Sequence, residues 1–158
     1  MKITLRGFYL TTLLVAFIFV SNSAFSQEDW WKEKKYKNDE TKRKYELCKK
    51  TFKDISNGFT YSSISTVSGY FGPEVFLDVL GTEKGYYSSG QAEYIVSDFM
   101  DYFKVTSVKY IRSYHKNSYA FVMGKYFYNI GTGKRELKLS ISLKFRDDKW
   151  YIDQINVN

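Results

Sequence analysis

The chain has 158 residues, which is the length of one domain, and its formal net charge is +7. One cysteine excludes an internal disulfide, and one histidine excludes a metal site built from several histidines. Basic and acidic residues are interleaved along the chain, which is typical of a solvated surface and gives no reason to expect a nucleic-acid partner. The unusual feature is an aromatic content of 20%.

Residues 1–26 have the order of a secretory signal peptide. Lys2 and Arg6 precede the apolar block from Leu10 to Val20, and Ala24 and Ser26 stand where a signal peptidase reads small residues. A membrane anchor is the alternative, but the block is shorter than the roughly 20 residues that a spanning helix needs. We therefore expect a cleaved signal and an exported protein, periplasmic or extracellular, that does not span the membrane after cleavage.

Residues 27–40 form a charged segment without an apolar period, which indicates a flexible leader. Its one anomaly is the pair Trp30-Trp31. The pair either docks on the body of the domain, which we favour, or anchors a partner.

From Thr41 the pattern becomes helical, with apolar residues three and four positions apart on one face, and Asn57-Gly58 is the expected end of the helix. This stripe comprises Tyr45, Cys48, Phe52, Ile55 and Phe59. Because Cys48 belongs to the stripe, it is expected to be a buried, unreactive thiol.

The next segment predicts a short helix within Ser62 to Phe71 that stops before Pro73, the only proline. A strand is expected from Val75 to Leu80. After a turn at residues 81–85, Tyr86-Tyr87 forms a brief return strand.

Ser88 and Gln91 have the spacing of a capping box, which predicts the start of a second long helix. The apolar residues behind them recur at helical spacing and end at Phe103. They are Ala92, Ile95, Val96, Phe99, Met100 and Phe103.

Everything after Lys104 is rich in strand-forming residues, and short turns divide it into four runs. The runs are Val105 to His115, Tyr119 to Asn129, Glu136 to Arg146 and Trp150 to Val157. In the third run, the apolar residues at every second position from Leu137 to Phe145 alternate strictly with lysines and serines. One face of this strand is therefore dry, and the other is wet or lines a pocket. The order predicts an α+β fold in which a curved antiparallel sheet of about four long strands plus a short hairpin wraps around helices.

This order of helices and strands, together with several short sequence motifs, resembles the exported bacterial domain-of-unknown-function family 4783, within the nuclear transport factor 2-like (cystatin-like) superfamily. The motifs are Tyr70-Phe71, Val75-Phe76-Leu77-Asp78-Val79-Leu80, Gly85-Tyr86-Tyr87-Ser88, Gln91-Ala92-Glu93, Ile95, Asp98-Phe99, Met123-Gly124 and Ile152-Asp153-Gln154-Ile155-Asn156-Val157. The resemblance covers residues 41–158, which we take as the domain, and carries no established activity.

The wider superfamily contains enzymes, such as ketosteroid isomerases and scytalone dehydratase, whose catalytic side chains lie in a cavity between sheet and helices. It also contains binding and dimerising modules, so the resemblance implies a homodimer as one possible assembly. Fold alone does not choose between these functions.

Three residues are considered for catalysis. His115 lies beside the predicted turn at residues 116–118, where a solvated histidine is expected. Asp98 falls off the apolar stripe of its helix, and Asp78 lies in a strand whose faces the sequence does not distinguish. No catalytic residue is assigned, and no metal ligand or cofactor is expected.

Aromatic residues of the strands are the candidates for a ligand site, because tyrosine combines an apolar face with a hydroxyl group. Period two places Val108, Tyr110, Arg112 and Tyr114 on one face. The candidate ligand-binding residues are Tyr86, Tyr110, Arg112, Tyr114, Tyr126 and Tyr128.

The function most consistent with these features is non-catalytic binding of a small apolar or amphipathic ligand, or of a protein partner. The alternative is a cofactor-free lyase or isomerase that uses a pocket carboxylate or His115.

Overall fold

The computed structural model describes residues 30–158, so the predicted signal peptide and the first residues of the predicted leader lie outside the described part. Three helices and six strands make up this part. The helices are Asp39–Thr60 (α1), Ile64–Ser68 (α2) and Ser89–Tyr102 (α3). The strands are Phe71–Val79 (β1), Glu83–Ser88 (β2), Val105–Lys116 (β3), Tyr119–Ile130 (β4), Gly133–Arg146 (β5) and Lys149–Val157 (β6).

Helix α1 is longer than predicted at both ends. Asn38 caps it, because the Asn38 side-chain oxygen accepts a 2.8 Å hydrogen bond from the Thr41 backbone N–H. The predicted stop at Asn57-Gly58 is wrong, and the helix continues to Thr60. Gly58 serves close packing there, since a Cβ atom on it would lie 2.7 Å from Val67 of α2.

The start of α3 confirms the predicted capping box. The Gln91 backbone N–H donates to the Ser88 hydroxyl at 3.4 Å, and the Ser88 N–H donates to the Gln91 side chain at 3.1 Å. These reciprocal bonds satisfy two donors that a helix start leaves free, which explains why the chain changes here from strand to helix.

The six strands form one sheet in the order β2-β1-β6-β5-β4-β3. The prediction of an antiparallel sheet is correct for every pair except β1 and β6, which are parallel. The reason is topological: the chain reaches β6 only after α3 and the β3–β4–β5 meander, and it returns beside β1 in the same direction. The sheet is therefore mixed, while the predicted α+β class is confirmed.

Strand β1 begins at Phe71, four residues before the predicted start at Val75, and so includes Pro73. Proline lacks the N–H that a ladder needs. The register between β1 and β6 accordingly shifts between Phe71 and Phe76. The irregularity accommodates the proline inside the strand.

Helices α1 and α3 pack on one face of the sheet, which we call the inner face. Helix α1 packs mainly on β3, and α3 packs on β1 and β2. The core lies between these layers. Its fully buried side chains include Phe52, Phe59, Leu77, Tyr126, Ile141, Leu143 and Trp150.

A β-bulge interrupts β3 after Tyr110. Tyr110 pairs with Gly124, and the next paired residue, Arg112, pairs with Met123. Ile111 is thus the extra residue, and side chains after it point to the face opposite that expected from strict alternation. Gly124 permits the bulge, because a Cβ atom on it would meet the Lys109 carbonyl oxygen and lie 2.9 Å from the Tyr110 Cα.

We predict that Gly124→Ala destabilises the domain by about 1–3 kcal/mol, because the added methyl group collides with backbone that cannot move aside. Urea denaturation monitored by circular dichroism measures the effect. Gly90→Ala is the matched control: Gly90 lies in the first turn of α3, and a Cβ atom there would meet nothing within 4 Å. The control should gain up to about 1 kcal/mol, and an equal loss in both variants would contradict the role of Gly124.

Candidate functional site

The six predicted ligand-binding residues do not form one site, because they lie on opposite faces of the sheet. Tyr110, Tyr126 and Tyr128 point to the inner face, among the core residues. Arg112 and Tyr114 point outward, since their partners on β4 are the outward-facing Met123 and Phe121. Tyr86 on β2 is also outward and 73% exposed.

The prediction that Val108, Tyr110, Arg112 and Tyr114 share one face is therefore wrong. The bulge at Ile111 reverses the alternation between Tyr110 and Arg112. Arg112 and Tyr110 therefore cannot line one pocket.

The inner tyrosines use their hydroxyl groups within the fold. The Tyr110 hydroxyl donates to the Phe52 carbonyl of α1 at 3.0 Å, and the Tyr126 hydroxyl donates to the Phe103 carbonyl at 2.6 Å. Burial raises the pKa of both phenols. Tyr128 packs edge-on against Phe103, with ring centroids 5.0 Å apart.

Residues 30–37, which we call the strap, cover the inner face beside β3. The Trp30 ring packs edge-on against Tyr110, with ring centroids 5.1 Å apart. The backbone carbonyl of Trp30 accepts a 2.6 Å hydrogen bond from the Ser113 hydroxyl. Trp31 is 6% exposed. The tryptophan pair thus docks on the body of the domain, as the first interpretation of the leader expects, and aromatic rings fill the space between α1 and β3.

His115 is buried, so the prediction of a solvated histidine at a turn is wrong. Its ring stacks on Trp31 at a centroid distance of 4.5 Å and an interplanar angle of 10°, and Tyr45 of α1 lies 4.6 Å away. The strap and α1 cover the end of β3, which the local turn pattern does not reveal. Burial, together with the nearby Lys34 ammonium, lowers the pKa of His115 to about 4.

The three residues considered for catalysis lie apart. Asp98 is exposed on α3, whereas Asp78 lies on the outer face and forms a 3.1 Å ion pair with Lys84. The Nε2 atom of His115 is buried without a hydrogen-bond partner among the described residues, and the ring lies under Trp31, so this nitrogen does not face an open cavity as a general base must. Within residues 30–158 no group of three or more histidine, cysteine or acidic side chains could hold a metal ion.

Cys48 is fully buried in α1, as predicted. Desolvation raises its pKa well above that of an ordinary thiol, which keeps it protonated and unreactive.

An open cleft with a volume of about 510 Å³ lies on the outer face, and we call it the outer cleft. Three tyrosines from different strands, Tyr86, Tyr119 and Tyr151, lie along it. Tyr119 and Tyr151 are the register partners of Lys144 on β5, one on each side. Aromatic surfaces therefore stand close to a charged group, and this combination suits a molecule with both apolar and polar parts.

The charged side chains of the outer cleft balance one another. Lys144 donates to Asp153 at 2.8 Å, and this hydrogen bond raises the pKa of Lys144. Arg146 lies over the Tyr151 ring at 5.5 Å, and Glu74 completes two cations and two carboxylates in the lining. The charged groups of the cleft therefore carry no net charge.

Of the three cleft tyrosines, only Tyr86 is among the residues predicted from the sequence to bind a ligand; Tyr119 and Tyr151 are not. For Lys144 the one signal in the sequence is its place on the face of β5 that is predicted to be wet or to line a pocket. The cleft brings together residues from five strands. These residues meet only because of the order of the strands in the sheet, which local sequence periodicity does not predict.

A second open cleft, about 710 Å³ in volume, lies along the start of α1. Its lining is dominated by charged helix-surface side chains, including Asp39, Glu40, Arg43 and Lys44. It lacks the tyrosines of the outer cleft and is a weaker candidate for an amphipathic ligand.

We predict that Tyr126→Phe lowers the free energy of unfolding by about 1–2 kcal/mol, because it removes the hydrogen bond that ties β4 to the end of α3. Urea denaturation measures the change. Tyr94→Phe is the control, since Tyr94 is 77% exposed on α3 and should change stability little. Equal stability of the Tyr126→Phe variant and the wild type would show that the hydroxyl bond adds nothing.

No helix within residues 30–158 is long and apolar enough to cross a membrane. A search of curated proteins finds no match.

Solved structures show the same fold at low sequence identity. A protein of the DUF4783 family from Bacteroides ovatus is 20% identical, covering 66% of this chain and 90% of its own, with a TM-score of 0.60. A second, from Bacteroides uniformis, is 18% identical over 67% and 94%, with a TM-score of 0.61. An NTF-2 like protein of unknown function from Shewanella oneidensis is 9% identical over 72% and 97%, with a TM-score of 0.52.

The family model described as Domain of unknown function (DUF4783) matches residues 52–158. This match covers more than half of the chain, from the middle of α1 through all six strands. The expected resemblance is confirmed, and the chain belongs to the DUF4783 family and has a nuclear transport factor 2-like fold.

Proposed function

We propose that this protein is an exported, non-catalytic binding module that holds a small amphipathic ligand in the outer cleft. The observation that carries the proposal is the convergence of Tyr86, Tyr119 and Tyr151 around a cleft of about 510 Å³. Ligand clefts commonly have volumes of roughly 300–1,000 Å³ and pair aromatic surfaces with a few polar groups.

The chemistry of the lining favours an uncharged ligand. Lys144 is already paired with Asp153, so an anionic ligand would have to compete with a carboxylate for it. The Tyr119 hydroxyl shares a 3.1 Å hydrogen bond with Ser142 and has lone-pair capacity for a further one, and the cleft carboxylates accept hydrogen bonds. A ligand with one flat apolar face and several hydroxyl or amide groups matches this combination.

The arrangement of the inner face favours binding over catalysis. A lyase or isomerase would need an oriented base or acid in an open cavity. His115 lies buried under Trp31 and faces no open cavity, and Asp78 and Asp98 lie elsewhere. The outer cleft offers contacts for a ligand, while its carboxylate Asp153 is held by Lys144.

We expect Tyr86→Ala to weaken ligand binding by at least about tenfold, because it removes an aromatic surface from the cleft. The measurement is a crystallographic and ligand-observed NMR screen of uncharged, polyhydroxylated or amide-bearing aromatic fragments, followed by affinity titration of the hits. Tyr94→Ala is the matched control: it removes the same side chain, with nearly the same exposure, from α3.

Absence of hits in the outer cleft, or an equal loss in the Tyr94→Ala variant, would contradict the proposal. Light scattering on the same samples measures the oligomeric state. A homodimer formed through the outer face, the assembly implied by the resemblance, would cover the cleft and would also contradict it.

A further inference from the structure

The strap lies in a groove whose walls are α1 and β3. Phe52 and Tyr45 face it from α1, and Tyr110 and His115 face it from β3. The strap fills the groove with Trp30, Trp31 and Tyr36, and these rings meet the walls at centroid distances of 4.5 to 6.5 Å.

The polar links between the strap and the body are few. The Ser113 hydroxyl donates to the Trp30 carbonyl, and the Lys34 ammonium donates to the His115 carbonyl at 3.0 Å. Glu33 forms a 3.4 Å ion pair with Lys49 of α1, where Glu33 is largely exposed. An exposed pair of this kind contributes little, so the aromatic packing holds the strap in place.

The side of the groove next to His115 contains two buried polar atoms with no partner among the described residues, His115 Nε2 and the Tyr36 hydroxyl. Neutral imidazole tolerates this position, whereas imidazolium would be a buried cation that lacks a hydrogen-bond acceptor at Nε2 and lies near the Lys34 ammonium. Stacking on the Trp31 ring offsets only part of this cost, so the strap packs better on the neutral form of His115.

The charged and titratable groups around His115 do not offset this cost. The strap presents Lys34 and the more distant Glu33, and α1 presents Tyr45, with Cys48 one turn further on. The neighbours on β3 are the exposed Tyr114 and Lys116. On β4, the residue opposite His115 is Ala120, which does not titrate.

We propose that the strap is an acid-released cover: protonation of His115 undocks residues 30–37 and exposes the aromatic groove between α1 and β3, while the rest of the domain stays folded.

The sign of the pH dependence follows from the pKa of His115. In the docked form burial lowers this pKa to about 4, and once the strap leaves, the ring returns toward its ordinary value of 6.5. The released form therefore binds the proton more tightly, and docking weakens as the pH falls from 6.5 toward 4. Between pH 7.5 and pH 5 these two values correspond to a change of about 30-fold in the docking equilibrium.

The buried thiol of Cys48 provides a direct measurement, because it is the only cysteine and lies on α1 one turn from Tyr45, the ring on which Tyr36 of the strap stacks. The full chain is labelled with 4,4′-dithiodipyridine at pH 7.5 and at pH 5. The reference is His115→Phe, which keeps an aromatic ring in the stack and cannot be protonated. His115→Gln replaces it if the phenylalanine variant does not fold.

We expect the labelling rate of the wild type, divided by that of the variant, to rise by about 30-fold between pH 7.5 and pH 5. The ratio cancels the pH dependence of the thiol chemistry itself. The rate should also change little at low urea concentration, since undocking the strap exposes much less surface than global unfolding.

Two results would overturn the proposal. A pH-independent ratio would show that His115 does not control the cover. A labelling rate that rises with urea as steeply as global unfolding would show that the strap does not leave separately. Neither result bears on the outer cleft, so the two proposals fail independently.

Discussion

Polar atoms at the tips of buried aromatic side chains hold the two layers of this fold together. The inner face of the sheet is lined with large aromatic side chains, and a buried hydroxyl or indole N–H must find a partner. Backbone carbonyls of the helices supply it: Tyr110 bonds to Phe52, and Trp150 bonds to Lys44 at 3.0 Å. Both bonds end on α1 and fix it against β3 and β6. The Tyr126 bond anchors the end of α3 in the same way.

Features that depend on local sequence were predictable. The spacing of apolar residues identified α1 and α3, and the Ser88–Gln91 capping box located the start of α3 because its hydrogen bonds span only three residues. Two features escaped prediction because they involve distant segments. The parallel pairing of β1 with β6 joins opposite ends of the domain, and the bulge at Ile111 depends on Gly124 in the next strand.

The candidate site was harder to predict than the fold. Its residues converge only after the strands are ordered, so Tyr86 was identified while Tyr119 and Tyr151, the neighbours of Lys144, were not. His115 shows a second limit. Its sequence neighbours form an exposed turn, but a segment more than eighty positions away covers its ring. Burial by a distant segment leaves no periodic signal beside the buried residue.

The same aromatic composition produces different outcomes on the two faces. On the inner face the polar tips of Tyr110, Tyr126 and Trp150 donate to backbone carbonyls, so these side chains are committed to structure. Among the described residues the buried side-chain atoms without a partner are the Tyr36 hydroxyl and His115 Nε2, and both belong to the contact between the strap and the body. The tyrosines of the outer cleft remain accessible. The proposed ligand site and the proposed release of the strap therefore both involve aromatic residues outside these hydrogen bonds, in the outer cleft and at the contact between the strap and the body.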